Sequence, residues 1–251
     1  MPLAASSGST TTPDLNDVVV AIPTLNEEES IENVVREIKR IGITRIIVAD
    51  GGSTDATAAR AKHAGAEVIA AGRGYGRACL AATEAAADND IMVFMDGDGA
   101  DDPDSIVAMV EPIRSGSQDF VIGSRVRGER EPGSMAWHQV AAGLAAGWGM
   151  RALYGVRYTD MGAFRALRRS MLLQLGMSEM TYGWNIEMQM RAARAGLRIL
   201  EIPVPCRRRI GGASKVAGSL PGSIRAGARI IATFARVASQ KSPMERRPFT
   251  R

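Results

Sequence analysis

The feature that most constrains the fold of this chain is a short apolar run that ends abruptly in carboxylates. The run over residues 91–95 is followed directly by Asp96, Gly97 and Asp98. A run this short and this apolar predicts a strand that is buried on both faces, as in a sheet covered by helices. Because open α/β sheets bind their ligands at the carboxyl ends of the strands, we expect a ligand site here.

Three further carboxylates follow at Asp101, Asp102 and Asp104. Charges of one sign at this density repel each other unless a cation lies among them. Hard oxygen ligands suit Mg²⁺ or Mn²⁺, typically shared with a substrate phosphate. The alternative is a solvated acidic turn in which Asp102 or Asp104 caps the next helix.

Apolar runs of strand length alternate with helical patterns along the first half of the chain. Strands are predicted over 18–22, 45–49, 67–70, 91–95 and 120–123, and helices over 26–41, 56–64, 78–88 and 105–114. This alternation predicts a mostly parallel sheet with helices on both faces. Further helices are expected over about 136–153 and 184–195, and a further strand over 198–204. We see no sign of a second domain, and residues 1–16 are expected to form a flexible tail.

Length, charge and cysteine usage narrow the class of protein. The 251 residues suit one domain, and the net charge of +4 is only mildly basic. With 5% aromatic residues and no basic block between aromatics, the chain lacks the marks of nucleic-acid binding. Cys79 and Cys206 are far apart, which predicts reduced thiols in a cytoplasmic protein. No run reaches the roughly 18–20 apolar residues that span a bilayer, so we expect membrane contact to be peripheral at most.

The segment 217–251 differs from the rest. One predicted helical face carries Ile224, Ala228, Ile231, Ala235 and Ala238, and another carries Arg225, Arg229 and Arg236. A basic amphipathic helix of this kind, followed by a basic tail, can lie on an anionic membrane surface. The alternative is an ordinary helix packed on the domain, with a solvated basic face.

Eight motifs occur in order along the chain. They are VVVAIPTLNEE at 18–28, DGGSTD at 50–55, GYGRA at 74–78, DGD at 96–98, GSR at 123–125, Asp160 with GAFR at 162–165, Glu187, and RIGGASK at 209–215. In this order and at this spacing they resemble the family 2 glycosyltransferases, over about residues 17–216. Within that family the chain is most similar to the dolichyl- and polyprenyl-phosphate mannose or glucose synthases.

The resemblance implies a GT-A fold, and inverting transfer of a hexose from a UDP- or GDP-sugar to a polyprenyl phosphate. It implies that Asp96 and Asp98 hold Mg²⁺ or Mn²⁺ against the donor diphosphate. Further nucleotide-binding residues would be Pro23, Asn26, Glu27, Asp50, Gly74, Arg77 and Gly97. The acceptor phosphate would be bound by Arg125, Arg209, Ser214 and Lys215, with Trp184 stacking on a sugar or the acceptor, although a packing role is equally open for Trp184.

Several alternatives stay open. A soluble hydroxyl acceptor would need a carboxylate to take its proton, and Glu187 or Asp160 are the candidates. Arg125 and Arg165 could instead form structural pairs with aspartates. Two alternatives lie outside this activity: a phosphatase with Asp96 as nucleophile, and a non-catalytic nucleotide-sugar binding protein. A homodimer is also left open.

Overall fold

Seven strands form one sheet in the computed structural model, which describes residues 14–87, 89–212 and 220–240. They are β1 (Val18–Thr24), β2 (Arg45–Asp50), β3 (Glu67–Ala70), β4 (Ile91–Phe94), β5 (Phe120–Ser124), β6 (Arg165–Arg168) and β7 (Ile199–Pro203). Their order is β3-β2-β1-β4-β6-β5-β7. Only β6 runs antiparallel to its neighbours among these described strands. The predicted α/β class with a mostly parallel sheet is confirmed.

Eight α-helices are found in the described parts of the chain. They are α1 (Ile31–Arg40), α2 (Thr57–His63), α3 (Tyr75–Ala85), α4 (Ile106–Arg114), α5 (Trp137–Tyr154), α6 (Arg169–Gln174), α7 (Trp184–Arg194) and α8 (Leu220–Ser239). Every residue of β1 is buried, with Val19 and Ala21 in one apolar cluster and Val18, Val20 and Ile22 in another. Since side chains alternate along a strand, the two clusters lie on opposite faces of the sheet, as a sheet covered on both sides requires.

The start of α1 differs from the prediction. The helix begins at Ile31, and Asn26 lies in a turn with a φ of 52° instead of capping the helix. The side-chain oxygen of Asn26 accepts a hydrogen bond from the Thr54 backbone N–H at 2.9 Å. Asparagine tolerates this left-handed conformation, and here its side chain joins two loops at the edge of the sheet.

Strand β6 and helix α6 were not predicted. The sequence of β6 begins with Arg165, which is completely buried. Its guanidinium donates to the carbonyl oxygens of Gly162, Ala163 and Asn185 and lies 5.9 Å from the centre of the Phe120 ring. Arg165 therefore has a structural role, which was the alternative left open for it, but its hydrogen-bond partners are backbone carbonyls and not aspartates.

Helix α8 packs against α7 and completes the described part of the chain. Within the described residues, the helices do not combine the length and apolar character needed to cross a bilayer. Ser214 and Lys215 lie outside the described residues, as does the basic tail after residue 240.

Candidate active site

A cavity of about 920 Å³ lies at the carboxyl ends of β1, β4 and β5. Thr24 ends β1, Asp96 follows β4, and Arg125 follows β5; all three line the cavity. This is the edge of the sheet at which the sequence predicted a ligand site.

Three of the five clustered carboxylates line this cavity, namely Asp96, Asp98 and Asp101. The Asp101 carboxylate accepts a hydrogen bond from the Asp96 backbone N–H at 3.1 Å. Burial raises the pKa of Asp96 well above its usual value, and the charges of Asp98 and Asp101 raise it further. Burial also raises the pKa of Asp101 to about 6. A divalent cation would relieve this repulsion, so the donor set fits one.

The other two acidic residues, Asp102 and Asp104, belong to the start of the next helix, as the alternative interpretation of the acidic run predicted. The side chain of Asp102 accepts from the Asp104 backbone N–H and caps a short 3-10 turn at Pro103–Ser105. Asp102 also pairs with Arg207 at 2.6 Å, and Asp104 pairs with Arg40 at 2.8 Å. The acidic run is thus divided between a cavity wall and a helix start.

No group of three or more His, Cys, Asp or Glu side chains is arranged to hold a metal in the described ranges. A cation at Asp96 and Asp98 would therefore need further ligands from donor phosphates or water. Mg²⁺ and related ions are commonly bound in this way, through one or two carboxylates and the substrate phosphates.

The segment 206–210 lies across the loop 98–101. The Arg207 backbone N–H donates to the Ala100 carbonyl, and the Ile210 N–H donates to the Asp98 carbonyl, both at 2.9 Å. The Arg209 guanidinium donates to the Glu27 carboxylate, and its Nη1 lies 3.5 Å from Asp98 Oδ2. Arg209 thus places positive charge beside two of the cavity carboxylates.

Arg125 and Asp160 form a buried pair in the cavity wall. Arg125 Nε and Nη2 each donate to one Asp160 oxygen at 2.8 Å, and the Arg125 backbone N–H donates to the same carboxylate at 3.0 Å. Burial alone would raise the pKa of Asp160, but the hydrogen bonds and charge of Arg125 hold it below its usual value. The pair is a bidentate one, which orients the guanidinium as well as balancing its charge.

Glu187 lies outside the cavity wall and is fully buried in the first turn of α7. Its carboxylate accepts from the backbone N–H groups of Ser178 and Glu179 at 3.0 and 2.7 Å, and from the Ser178 hydroxyl at 2.7 Å. Arg191 donates to it at 3.0 Å. Burial would raise the pKa of Glu187, but these hydrogen bonds hold it below its usual value. This environment fixes the 178–179 loop to α7 and offers no path to a substrate proton.

Trp184 also lies away from the cavity wall. It is buried in one of the two apolar clusters, beside Ile186 and Met188. Its surroundings match the packing role and leave no face for a sugar to stack on. Of the predicted nucleotide-binding residues, Pro23, Glu27, Gly74 and Gly97 line the cavity, whereas Asn26, Asp50 and Arg77 do not.

Asp50 is occupied by its own loop. Its carboxylate accepts from the Ser53 backbone N–H at 3.1 Å and from the Ser53 hydroxyl. Gly51, the next residue, does line the cavity. Gly97 is needed for packing, because a Cβ at that position would lie 2.8 Å from the Thr24 methyl carbon.

Several polar residues of the wall were not predicted from the sequence, among them Tyr75, Asn185 and Arg208. The Tyr75 hydroxyl and the Asn185 side-chain oxygen are buried without a hydrogen bond of normal geometry among the described residues, and the Asn185 side chain lies close enough to the Tyr75 hydroxyl to lower its pKa in part. Burial raises the pKa of Tyr75 well above its usual value, so the hydroxyl stays protonated and can donate. Two of these residues could have been found from the sequence, because Tyr75 belongs to the GYGRA motif and Arg208 to a run of three arginines.

The far end of the cavity is formed by two helices. His138, Gln139 and Ala142 of α5 line it, together with Ala226 and Ile230 of α8, among other residues. The cavity therefore has a charged end at the sheet and a less polar end between these helices.

Comparison with known proteins agrees with this geometry. The model of the family described as Glycosyl transferase family 2 matches residues 19–176. An uncharacterised glycosyltransferase of Mycobacterium tuberculosis is 37% identical over 210 residues, which cover 82% of this chain and 93% of that protein. The undecaprenyl-phosphate mannosyltransferase of Micrococcus luteus is 30% identical, over 82% of this chain and 89% of that protein.

Among solved structures, the chain is similar to glucosyl-3-phosphoglycerate synthase of Mycobacterium tuberculosis in complex with Mn²⁺ and UDP-glucose. The TM-score is 0.69 at 25% identity, and the match covers 88% of this chain and 78% of the other. The sheet and helices described above are thus those of a GT-A glycosyltransferase, as the resemblance implied. This chain belongs to glycosyl transferase family 2, and it is a nucleotide-sugar-dependent glycosyltransferase.

Proposed function

We propose that this protein transfers a hexose, with inversion, from a UDP- or GDP-hexose to a polyprenyl phosphate. The observation that carries the proposal is the cavity itself, in which carboxylates and arginines at the sheet end meet a less polar end between α5 and α8. The similarity to the mannosyltransferase of Micrococcus luteus supports a lipid phosphate as acceptor. We place the enzyme in the cytoplasm, peripheral at the inner face of the membrane.

The donor would bind at the sheet end. Asp96 and Asp98 would hold Mg²⁺ or Mn²⁺, which when bound would neutralise charge developing on the leaving nucleotide. Pro23, Glu27 and Gly97 shape the wall beside these carboxylates. Asp50 and Asn26 do not line the cavity. They would contribute to nucleotide binding by ordering the loops at the edge of the pocket.

The side chains of Tyr75 and Asn185 would bind hydroxyl groups of the transferred hexose. Both residues lie in the cavity wall and both carry polar groups there. Their placement supports a polar, hydroxyl-rich group between the donor phosphates and the acceptor.

The acceptor phosphate would lie near Arg125, Arg208 and Arg209. A phosphate acceptor is already an anion and needs no general base to become a nucleophile. This fits the state of the two predicted base candidates, because Asp160 is committed to Arg125 and Glu187 lies outside the cavity wall. Ser214 and Lys215, which the resemblance also assigns to the acceptor, remain a prediction. Membership of the glycosyltransferase family replaces the phosphatase hypothesis for Asp96.

The test is transfer of radiolabelled sugar from UDP-glucose, UDP-galactose, GDP-mannose and GDP-glucose, each with Mg²⁺ or Mn²⁺. Polyprenyl phosphate in detergent and a panel of soluble hydroxyl acceptors are compared, and product is followed by extraction into organic solvent. Metal-dependent label in the organic phase is the expected result. Label found only in soluble product would overturn the lipid acceptor, and intact donor throughout would favour a non-catalytic binding protein.

Asp98→Ala should abolish transfer, because it removes one of the two proposed cation ligands. Asp104→Asn is the matched control, since that carboxylate belongs to the same acidic run but pairs with Arg40 outside the cavity. Its activity should equal that of the wild type.

A further inference from the structure

Helix α8 exposes an apolar stripe. Ile224 is 63% exposed and Ile231 is 71% exposed, and Ala228 and Ala235 on the same face are exposed as well. A helix in a globular protein normally turns its apolar stripe to the core and its polar face to solvent. The stripe that the sequence singled out is therefore not the packing face of α8.

The packing face is a different side of the helix. Ala226, Thr233 and Val237 are buried against the domain. At its edge, Arg229 donates to the buried Glu179 at 3.0 Å, and Arg236 donates to the buried Glu187 at 3.3 Å. Two of the three arginines of the predicted basic face are thus held by carboxylates of the domain. These contacts fix the rotation of α8 and leave its apolar stripe outward.

Helix α5 shows the same arrangement. Trp137 is 82% exposed and Trp148 is 79% exposed, with Ala141 and Leu144 exposed between them at spacings of four, three and four residues. The side that packs is instead formed by Gly143, Gly147 and Met150. A Cβ on Gly147 would overlap the carbonyl oxygen of Tyr158, so small residues bring this side of α5 close to the domain. The large apolar side chains are left outside.

The two helices are neighbours. A Cβ on Gly149 of α5 would lie 2.7 Å from the Phe234 ring of α8. Ala142 of α5 and Ile230 of α8 both line the active-site cavity. The exposed stripes therefore belong to the pair of helices that forms the less polar end of the cavity.

The charge of these two helices indicates what kind of surface would cover their exposed stripes. Over residues 137–154 and 220–239 the sequence contains no aspartate or glutamate. Arg151 and Arg225 are exposed beside the stripes. A second copy packed about a two-fold axis would bring the same surface, with the same cations, against itself. An anionic lipid surface complements them, and tryptophans are enriched where protein meets the membrane–water interface.

We propose that the exposed stripes of α5 and α8 insert into the interfacial region of an anionic leaflet and bring the less polar end of the cavity to the lipid. The biological purpose of this membrane contact rests on the lipid acceptor proposed above. The proposal itself concerns only the binding of the protein to the membrane. The bound helices would lie in the plane of the membrane, as amphipathic helices with an aromatic face do. Arg151 and Arg225 would contact the lipid headgroups.

The tryptophans supply a direct measurement. Of the three in the chain, Trp137 and Trp148 lie in the α5 stripe, whereas Trp184 is buried in the core. The full-length protein is mixed with vesicles of phosphatidylglycerol and phosphatidylcholine, without donor or acceptor. We expect a blue shift of the emission, and quenching when the lipids carry bromine on their acyl chains. Trp137→Phe/Trp148→Phe should lose the quenching but keep vesicle binding in co-sedimentation.

Ile231→Glu/Trp148→Glu should lower vesicle partitioning by about tenfold or more, because it replaces two exposed apolar groups with charges. Leu173→Glu, on α6 and outside both stripes, is the matched control with an exposed leucine and should bind vesicles normally. Circular dichroism of each variant checks that the fold is retained.

Unquenched tryptophan emission together with no co-sedimentation of the wild type would overturn the proposal. A dimer in analytical ultracentrifugation that Ile231→Glu dissociates, with no vesicle binding, would replace the lipid by a second copy. The two proposals fail separately. Vesicle binding with transfer only to soluble acceptors refutes the lipid acceptor, whereas transfer to polyprenyl phosphate without vesicle binding refutes this surface.

Discussion

Replacing Asp160 by asparagine separates the two roles open to this carboxylate. Asp160→Asn keeps the shape of the side chain but removes the charge that balances Arg125. Breaking one partner of a buried ion pair costs about 3–5 kcal/mol. Because the Arg125 side chain keeps 20% of its exposure and water can partly replace the lost carboxylate, we expect the lower end of that range, about 3 kcal/mol. For a chain of this length, the melting temperature should fall by about 6–12 °C.

The measurement is urea unfolding at pH 7, followed by circular dichroism. Asp104→Asn is the control, since the Arg40–Asp104 pair is as short but largely exposed, and it should cost less than about 1 kcal/mol. Equal losses in the two variants would refute the energetic role of the buried pair.

The kinetics of Asp160→Asn test the chemical role. If the carboxylate only orients Arg125 toward an acceptor phosphate, the KM for the acceptor should rise, and kcat should fall by less than about tenfold. A fall in kcat of about 10²–10⁴, together with loss of the acidic limb of the pH profile, would identify Asp160 as a general base and refute our reasoning.

The pH dependence of stability follows from the same pair. The pKa of Asp160 is lower in the folded protein than its usual value of 3.8. The stabilisation is therefore fully present above that value and is lost as the pH falls through the folded pKa. The difference in unfolding free energy between wild type and Asp160→Asn should be constant from pH 5 to 8 and shrink below about pH 3.8. A difference that instead grew on acidification would contradict this assignment.

Three further outcomes are expected. Asp98→Ala should remove Mn²⁺-dependent binding of UDP or GDP in calorimetry while Asp104→Asn retains it; equal affinities would exclude the cation site. Gly147→Val should lower the melting temperature by 5 °C or more, because about 2 kcal/mol or more is lost when a side chain meets the Tyr158 carbonyl. Glu179→Gln should speed proteolysis within α8, because it removes the charge held by Arg229; an unchanged digestion rate would show that this pair does not fasten the helix.

Most of the sheet could be predicted from the sequence because its strands are short apolar runs separated by helical patterns. Strand β6 could not, since it begins with Arg165, and a charged residue argues against a buried strand. The burial of Arg165 is possible because its guanidinium donates to the carbonyl oxygens of the nearby Gly162 and Ala163 and of the more distant Asn185, and lies over the Phe120 ring. The contacts with Asn185 and Phe120 are tertiary and leave no local pattern.

The site was predictable where it follows the ends of strands. Asp96 and Arg125 follow the ends of β4 and β5 within two residues, and both line the cavity. Glu187 was placed among the catalytic candidates because of its motif, but its environment is set by backbone N–H groups of residues 178–179. Nothing in the sequence shows that this loop folds back on α7. The direction in which α8 turns its apolar stripe was equally hidden, because it depends on Glu179 and Glu187 holding the arginines.

The carboxylates of the cavity show where the fold is organised for function and not for stability. Asp96 and Asp101 have raised pKa values because burial and neighbouring negative charge disfavour their ionised forms. A protein under selection for stability alone would replace such groups with apolar ones. The charge of Arg125 offsets part of the repulsion at Asp96 and Asp101, and Arg209 lies beside Asp98. Groups that destabilise the free protein and are stabilised by a cation and a diphosphate are what a donor site requires.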